Sequence, residues 1–201
     1  MPPDATTEAT WIQEAAQGNT GAFAELVRLH RTRVVRTAFG VLVSQEEAED
    51  VAQDVFIKVW HNLKDFQPET SFGSWLYRIT VNASIDVLRH RKEESGMDVE
   101  YSSPTVRPEE QMLRRASQQR VRKAIAQLPE SARTTLTLRE FEQLSYKEIA
   151  EVLQIPIGTV MSRLNYARQS LKKINYSLNR IKAIWMEPRL LPQLTVRLSL
   201  S

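Results

Sequence analysis

The chain has 201 residues, 42% of them apolar and 25% charged, with a net charge of +3, which is enough apolar material to bury a core and too much for a disordered polymer. It contains no cysteine, which excludes a disulfide frame, a thiolate metal site and a thiol nucleophile. The leading MPPDATTEAT is acidic without an apolar run, and no stretch nears the roughly 18 uncharged apolar residues of a membrane span, so a cytoplasmic chain with no membrane insertion is expected.

Helix signals dominate. Met1 to Thr10 reads as a loose tail, and Trp11 to Gln17 as a short helix ended by Gly18. Asn19 can cap the next helix, on which Phe23, Leu26, Val27, Val34, Val35, Ala38 and Leu42 keep an amphipathic spacing. Ser44-Gln45-Glu46-Glu47 has the form of a capping box and opens a third helix to about Leu63. Asp65 to Ser71, DFQPETS, is a loop around Pro68, and Phe72 to about Lys92 forms a fourth helix. Four helices with short connections make a compact bundle.

Beyond Lys92 the composition changes. EESGMDVEYSSPTVRPEE, Glu93 to Glu110, has two prolines, a glycine, three serines and an acidic excess with no apolar period, the marks of a flexible linker. The helical pattern returns near Gln111, passes Pro129 and runs through Arg133 to Glu142. The expected fold is therefore all-α, two small helical domains joined by a flexible acidic linker: residues 10–92, linker 93–111, residues 112–183, and a tail at 184–201. In the tail, Ile181, Ile184 and Trp185 can extend the last helix, prolines 188 and 192 end it, and LTVRLSL alternates like a strand.

SYKEIAEVLQIPIGTVMSRL, Ser145 to Leu164, carries the sharpest local signal. Ser145 to Glu148 is a second capping box, and Ile149, Val152 and Leu153 share a face. Pro156 stops that helix and suits the first turn of the next, whose Val160 and Leu164 point inward. Thr159, Met161, Ser162, Arg163, Asn165 and Tyr166 are left to the outer face, the pattern of a helix-turn-helix that lays its second helix in a major groove. Between Glu151 and Glu187 there is no acidic residue, whereas Arg163, Arg168, Lys172, Lys173, Arg180 and Lys182 are basic, an electrostatic footprint for phosphates.

The first domain offers two further patterns. On the third helix Glu46, Glu47, Asp50, Gln53 and Asp54 gather on one side, opposite Val51, Val55, Phe56 and Val59. Taken alone, a solvated face near a helix N-terminus explains them better than docking on a basic partner does. Phe66, Phe72, Trp75 and Tyr77 occur with Lys58, Lys64 and Arg78, the aromatic and cationic mixture that single-stranded DNA requires. Helical phase sends Phe72, Leu76, Ile79 and Ala83 inward with Trp75 at their edge, leaving Phe66, Tyr77 and Asn82 accessible. His30, His61 and His90 are scattered, read as surface or boundary residues, and build no Glu-x-x-His metal pair; with no Gly-rich phosphate loop, G-x-S-x-G or H-E-x-x-H motif, neither catalysis nor a cofactor is expected.

AEDVAQDVFIKVW followed by SFGSWLYRITVNASIDVLRHRK resembles region 2 of sigma factors, and LPESARTTLTLREFEQLSYKEIAEVLQIPIGTVMSRLNYARQSLKK resembles their region 4. The spacing between these blocks is similar to that of the extracytoplasmic-function (ECF) group of the sigma-70 family, over about Ala22 to Lys173. The resemblance implies an RNA polymerase sigma factor for promoter-specific transcription initiation. Its partners would be core RNA polymerase, through the β′ clamp helices and the β flap, promoter DNA, and an anti-sigma factor. It implies that Asp50, Gln53 and Asp54 dock on the polymerase, and that Lys58, Phe66, Tyr77 and Asn82 serve −10 recognition and melting, the loop Asp65 to Ser71 receiving a flipped base. Arg89 and Arg91, with His90 and Lys92, would hold the upstream backbone, and Thr159, Met161, Ser162, Arg163, Asn165, Tyr166, Arg168 and Lys172 would contact the −35 element. The chain departs from the family pattern at Met161 and Tyr166, where arginine is frequent, and at Asn165, so the −35 preference does not transfer from relatives. A stand-alone helix-turn-helix repressor is the alternative function.

Overall fold

The computed structural model describes residues 5–67, 71–95 and 119–173; the calls for the linker beyond residue 95 and for the tail lie outside them. Helix α1 spans Ala5–Ala16, α2 Thr20–Leu42, α3 Gln45–Asn62 and α4 Phe72–Ser95, with a 3-10 turn at Leu63–Asp65. Helix α5 covers 119–126, followed by α6 Glu130–Glu140, α7 Tyr146–Leu153 and α8 Ile157–Lys173. Among the described residues there is no strand, as the sequence implied.

Local chemistry explains most of the boundaries. Gly18 turns the chain at φ +94°, and the Asn19 side chain accepts from the Ala22 amide at 3.1 Å to start α2. Val43 ends α2 in the left-handed region at φ 60°, unusual for a β-branched residue, with its amide donating to the Phe39 carbonyl at 2.8 Å. The loose tail expected before Thr10 is instead helical from Ala5, because α1 lies along α2 and Glu8 meets His30 Nε2 at 2.9 Å. His30 is accordingly buried against the Phe72 ring, 5.2 Å away, and is neither a surface nor a boundary residue.

The core of the first half unites Phe23, Leu26 and Val34 of α2, Val51, Val55 and Val59 of α3, and Phe72, Leu76 and Val81 of α4. Thr80 and Ser84 are buried there without penalty, since each hydroxyl donates to a carbonyl one turn back at 2.8 Å. Of the two capping boxes expected from the sequence, that at Ser145 is complete: Ser145 N–H donates to Glu148 at 2.7 Å and Glu148 N–H to Ser145 Oγ at 3.2 Å. The other is half made. Ser44 Oγ accepts from Glu47 N–H at 3.5 Å, but the Glu47 carboxylate is drawn away to Arg91.

In the second half α6 begins directly after Pro129, whose carbonyl accepts from the Ala132 and Arg133 amides. Buried Arg133 donates to the Ala126 carbonyl at 3.0 Å and so fixes the α5–α6 corner. Arg139 donates to the Leu144 carbonyl at 2.8 Å and lies over the Tyr146 ring at 5.1 Å, closing the turn into α7. Gln154 then takes the left-handed conformation, φ 53°, and Pro156 accepts from the Thr159 amide at 2.9 Å as α8 starts.

The halves pack on each other, α6 on α2 and α7 on α4. They meet tightly at Gly40, where an added Cβ would stand 2.2 Å from Thr137 Cγ2. Nearby, Arg36 grips the Glu142 carboxylate with two 2.6 Å hydrogen bonds and Tyr77 Oη donates to it at 2.9 Å. Arg122 of α5 lies over the Phe39 ring of α2 at 5.4 Å.

Burial holds the His30 imidazole below its ordinary pKa, outweighing the opposing pull of Glu8 and reinforced by Arg33. The folded state prefers the neutral ring, so this stability is present above the unfolded pKa of about 6.5 and is lost as pH falls through the lower folded value. Thermal melting below a pH of about 6 should therefore show a falling midpoint, and part of that fall should be missing in His30→Gln.

Candidate nucleic-acid and docking interfaces

Helix α3 buries Ala48, Val51, Ala52, Val55, Phe56 and Val59, and that phase forces Asp50, Gln53 and Asp54 outward. All three are exposed, and no ion pair engages them among the described residues. Ile57 joins the same stripe, half exposed at 50%, seven residues after Asp50 and three after Asp54. The sequence reading did not single it out. Its signal was available, because Ile57 falls out of phase with Val51, Val55 and Val59. The face thus offers two carboxylates and an amide around an apolar side chain.

On α4, Ser71 caps the first turn, accepting from the Ser74 amide at 3.1 Å. Phe66, Phe72 and Trp75 stack with ring centroids 5.2 to 5.7 Å apart. Phe72 is buried while Phe66 and Trp75 remain half-buried, so a partly open aromatic shelf forms, with half-buried Arg78 near Trp75; Lys58 of α3 is exposed. Asn82 is exposed, as expected. Tyr77 is not accessible: it is 7% exposed, its hydroxyl is bound to Glu142, and burial pushes the phenol well above its ordinary pKa. The tyrosine is turned away from the shelf because its position on α4 faces the second half of the chain. Residues 68–70 of the proposed base-receiving loop lie outside the described residues.

At the end of α4 Arg89 is exposed and pairs with Asp86 at 3.4 Å, whereas Arg91 is mostly buried in its ion pair with Glu47. Arg91 therefore ties α4 to the start of α3, which leaves Arg89 and Lys92 as the exposed cations there, with exposed His90 between them.

Helix α8 buries Val160, Leu164, Ala167 and Leu171. Met161, Ser162, Asn165, Tyr166 and Lys172 are exposed and Thr159 and Arg163 half-buried, so the sequence-selected face is brought together on one side. Ile157, exposed at 47% and one turn before Met161 at 55%, adds an apolar edge that the sequence reading had not assigned to this face. Arg168 differs from the others. Its guanidinium donates to Glu140 of α6 at 2.9 Å, and that hydrogen bond raises its pKa. It braces α8 on α6 more than it faces solvent.

An exposed acidic stripe, an aromatic shelf with cations and a helix-turn-helix, carried on two packed helical domains, are the marks of a helical DNA-binding protein. Residues 26–94 match the family described as Sigma-70 region 2, and residues 118–171 the family described as Sigma-70, region 4. The RNA polymerase sigma-H factor of Pseudomonas aeruginosa is 37% identical over 81% of this chain and 90% of its own, and the ECF RNA polymerase sigma factor SigW of Bacillus subtilis 31% identical over 81% and 93%. Among solved structures, CnrH in complex with the cytosolic domain of CnrY is similar with a TM-score of 0.65 and 27% identity, over 84% of this chain and 97% of that one. The sigma factor RpoE with the anti-sigma factor NepR from Bartonella quintana gives 0.63 at 25% identity, over 76% and 96%. The chain belongs to the sigma-70 family, in its ECF group.

The two arginines of α8 are expected to separate by experiment. Arg168→Ala should lower stability by about 1–2 kcal/mol in denaturant unfolding, since it removes a charge-assisted hydrogen bond from the nearly buried Glu140 side chain while Arg168 itself keeps some water. Arg163→Ala should leave unfolding nearly unchanged and instead weaken promoter-duplex binding and flatten its salt dependence by about one unit of slope.

Proposed function

We propose that the chain docks on core RNA polymerase through the exposed stripe of α3 and carries two DNA-reading surfaces to a promoter. The observation that supports this most directly is the stripe itself. Glu47 and Glu49, on the same helix, are held by Arg91 and Gln45, yet Asp50 and Asp54 flank an exposed Ile57 with no ion-pair partner among the described residues. Unpaired acids around an apolar side chain suit a basic helical partner with an apolar ridge, such as the β′ clamp helices. A repressor acting by itself on duplex DNA has no use for such a face.

Helix α8 enters the major groove at the −35 element. Arg163 and Lys172 supply phosphate or base contacts, Asn165 and Ser162 hydrogen bonds, and Met161 with Ile157 apolar surface that fits thymine methyl groups. On α4 and the preceding loop, Phe66 and Trp75 stack on unpaired bases of the −10 strand, with Lys58 and Arg78 near its backbone and Asn82 at a base edge. Extruding a base costs a few kcal/mol of unstacking, which this binding offsets without ATP. Arg89 holds the upstream backbone. Tyr77 is left out of the strand surface in the conformation described.

The similarity to the sigma factor RpoE solved with the anti-sigma factor NepR supports an anti-sigma factor as a further partner, and the relatives named as RNA polymerase sigma factors support work in the cytoplasm.

Run-off transcription with purified core polymerase tests the proposal. The chain should confer promoter-specific initiation, whereas a repressor would lower it. Asp50→Ala with Asp54→Ala should weaken core binding about tenfold with folding retained, because both side chains are exposed. Asn82→Ala should leave core binding intact and slow open-complex formation, read by permanganate reactivity of unpaired thymines. Core affinity unchanged in the double aspartate variant would contradict the docking face.

A further inference from the structure

With the apolar side of α8 buried, one outward row of side chains runs the length of the helix. Ile157, Met161, Asn165, Gln169 and Lys173 recur at every fourth position, and each of them is exposed. Residues four apart stand one above the other, so they form a single ridge on the face assigned to the major groove. Its chemistry is ordered, with two apolar side chains first, then two carboxamides, then a cation. The carboxamides are joined, Gln169 Nε2 donating to Asn165 Oδ1 at 3.3 Å.

No guanidinium stands on this ridge. Arg168 is bound to Glu140 of α6, and half-buried Arg163, two residues before Asn165, falls on the opposite flank of the helix. On the neighbouring row the Ser162 hydroxyl donates back to the Thr159 carbonyl at 3.0 Å. The base edges of the major groove distinguish between such residue types. Guanine presents two acceptors, N7 and O6, which suit the fork of an arginine, whereas adenine presents N7 beside the N6 amine, which a carboxamide matches with both its polar atoms. Thymine adds a methyl group that favours apolar contact.

We propose that this ridge makes α8 a reader of A·T pairs: Asn165 takes the N7 and N6 edge of an adenine, Met161 and Ile157 cover thymine methyl groups, and Gln169 positions Asn165. The inference rests on the reading of α8 as the helix that enters the −35 groove, and it assigns the bases selected there. Four residues advance a helix by about 6 Å, close to two base-pair steps of about 3.4 Å, so Met161 and Asn165 reach different pairs.

Gln169 matters because an exposed asparagine can otherwise turn its carboxamide over. The donor from Gln169 holds Oδ1 toward itself, which leaves both Nδ2 hydrogens for N7 and a second Oδ1 lone pair for the adenine amine. Against guanine the same oxygen meets O6, acceptor against acceptor. A held amide therefore discriminates where a turning one adapts.

The test uses holoenzyme made from the full chain and core polymerase, selecting promoters from a randomised duplex pool. The upstream block shared by the selected promoters should be dominated by A·T pairs. In one selected duplex, 7-deazaadenine removes only N7 and deoxyuridine in place of thymine removes only the methyl group. The first should weaken binding about tenfold and the second about fourfold. Each loss should disappear in its matching variant, Asn165→Ala for 7-deazaadenine and Met161→Ala for deoxyuridine, and exposure of these side chains keeps the variants folded. Gln169→Ala should still bind the selected duplex and should tolerate guanine in place of adenine better than the wild type does. A merely structural Gln169 would leave that ratio unchanged, and such a result overturns its positioning role. Wild-type holoenzyme indifferent to 7-deazaadenine overturns the role of Asn165, and indifference to deoxyuridine overturns that of Met161. An upstream block of G·C pairs, with initiation intact, overturns the A·T reading alone, whereas a holoenzyme that selects no promoter overturns the sigma-factor mechanism beneath it as well.

Discussion

The arrangement of the molecule turns on one buried carboxylate. Glu142 sits just past the end of α6 with its side chain fully enclosed, and among the described residues its carboxylate is held by groups from the other half, two guanidinium hydrogens of Arg36 and the hydroxyl of Tyr77. Its hydrogen bond is also the main cause of the raised pKa of Arg36. Deleting one member of a buried pair strands a charge at a cost of about 3–5 kcal/mol, whereas separating the pair into water does not. The interaction therefore specifies how the halves meet more than it strengthens either half. Around it the crossing at Gly40, the cover that α7 lays over α4 and the inward turn of Tyr77 follow as geometric consequences.

Within each half, the fold was legible because it is written in local code. Gly18, Asn19, Ser44 and Ser145 mark helix starts and stops by mechanisms that involve neighbours within five residues, and the apolar phases of α2, α3, α4 and α8 name their own buried faces. The readings that changed each depend on a partner far along the chain. The helical stretch before Thr10 needs α2 to lie on, and His30 is buried because Glu8, 22 residues earlier, meets it. Tyr77, Arg91 and Arg168 resemble accessible DNA contacts until Glu142, Glu47 and Glu140 are brought beside them. Periodicity states which side of a helix faces inward, and it does not state which cations find carboxylates there.

The same distinction applies to the candidate surfaces. Asp50, Gln53 and Asp54 lie outward by phase, and Ile57 was equally readable as the apolar residue on the wrong side of its helix. The α8 face was read nearly whole for the same reason, with Ile157 missed because a first-turn residue loses the shelter its phase would give it further along. The opposition of Glu148 and Glu151 to Arg78 was beyond any local pattern, since α4 and α7 are separated by the linker.

Charge is distributed so that no single surface is strong. On α8 the pairing of Arg168 leaves Arg163 and Lys172, with Lys173 at the end, as the cations free to meet phosphates. Each neutralised phosphate contributes roughly 0.9 to the salt slope, so on the proposed reading two or three contacts would make a helix that binds duplex only weakly by itself. The aromatic shelf of α4 is similarly small, two half-buried rings and a few cations. Weak sites on one chain become effective when both are held on a common scaffold, because the second engagement then occurs at an effective concentration in the millimolar range. On the proposed reading core polymerase is that scaffold, and the dependence has a consequence: surfaces that are individually feeble would not hold promoters before the chain is docked.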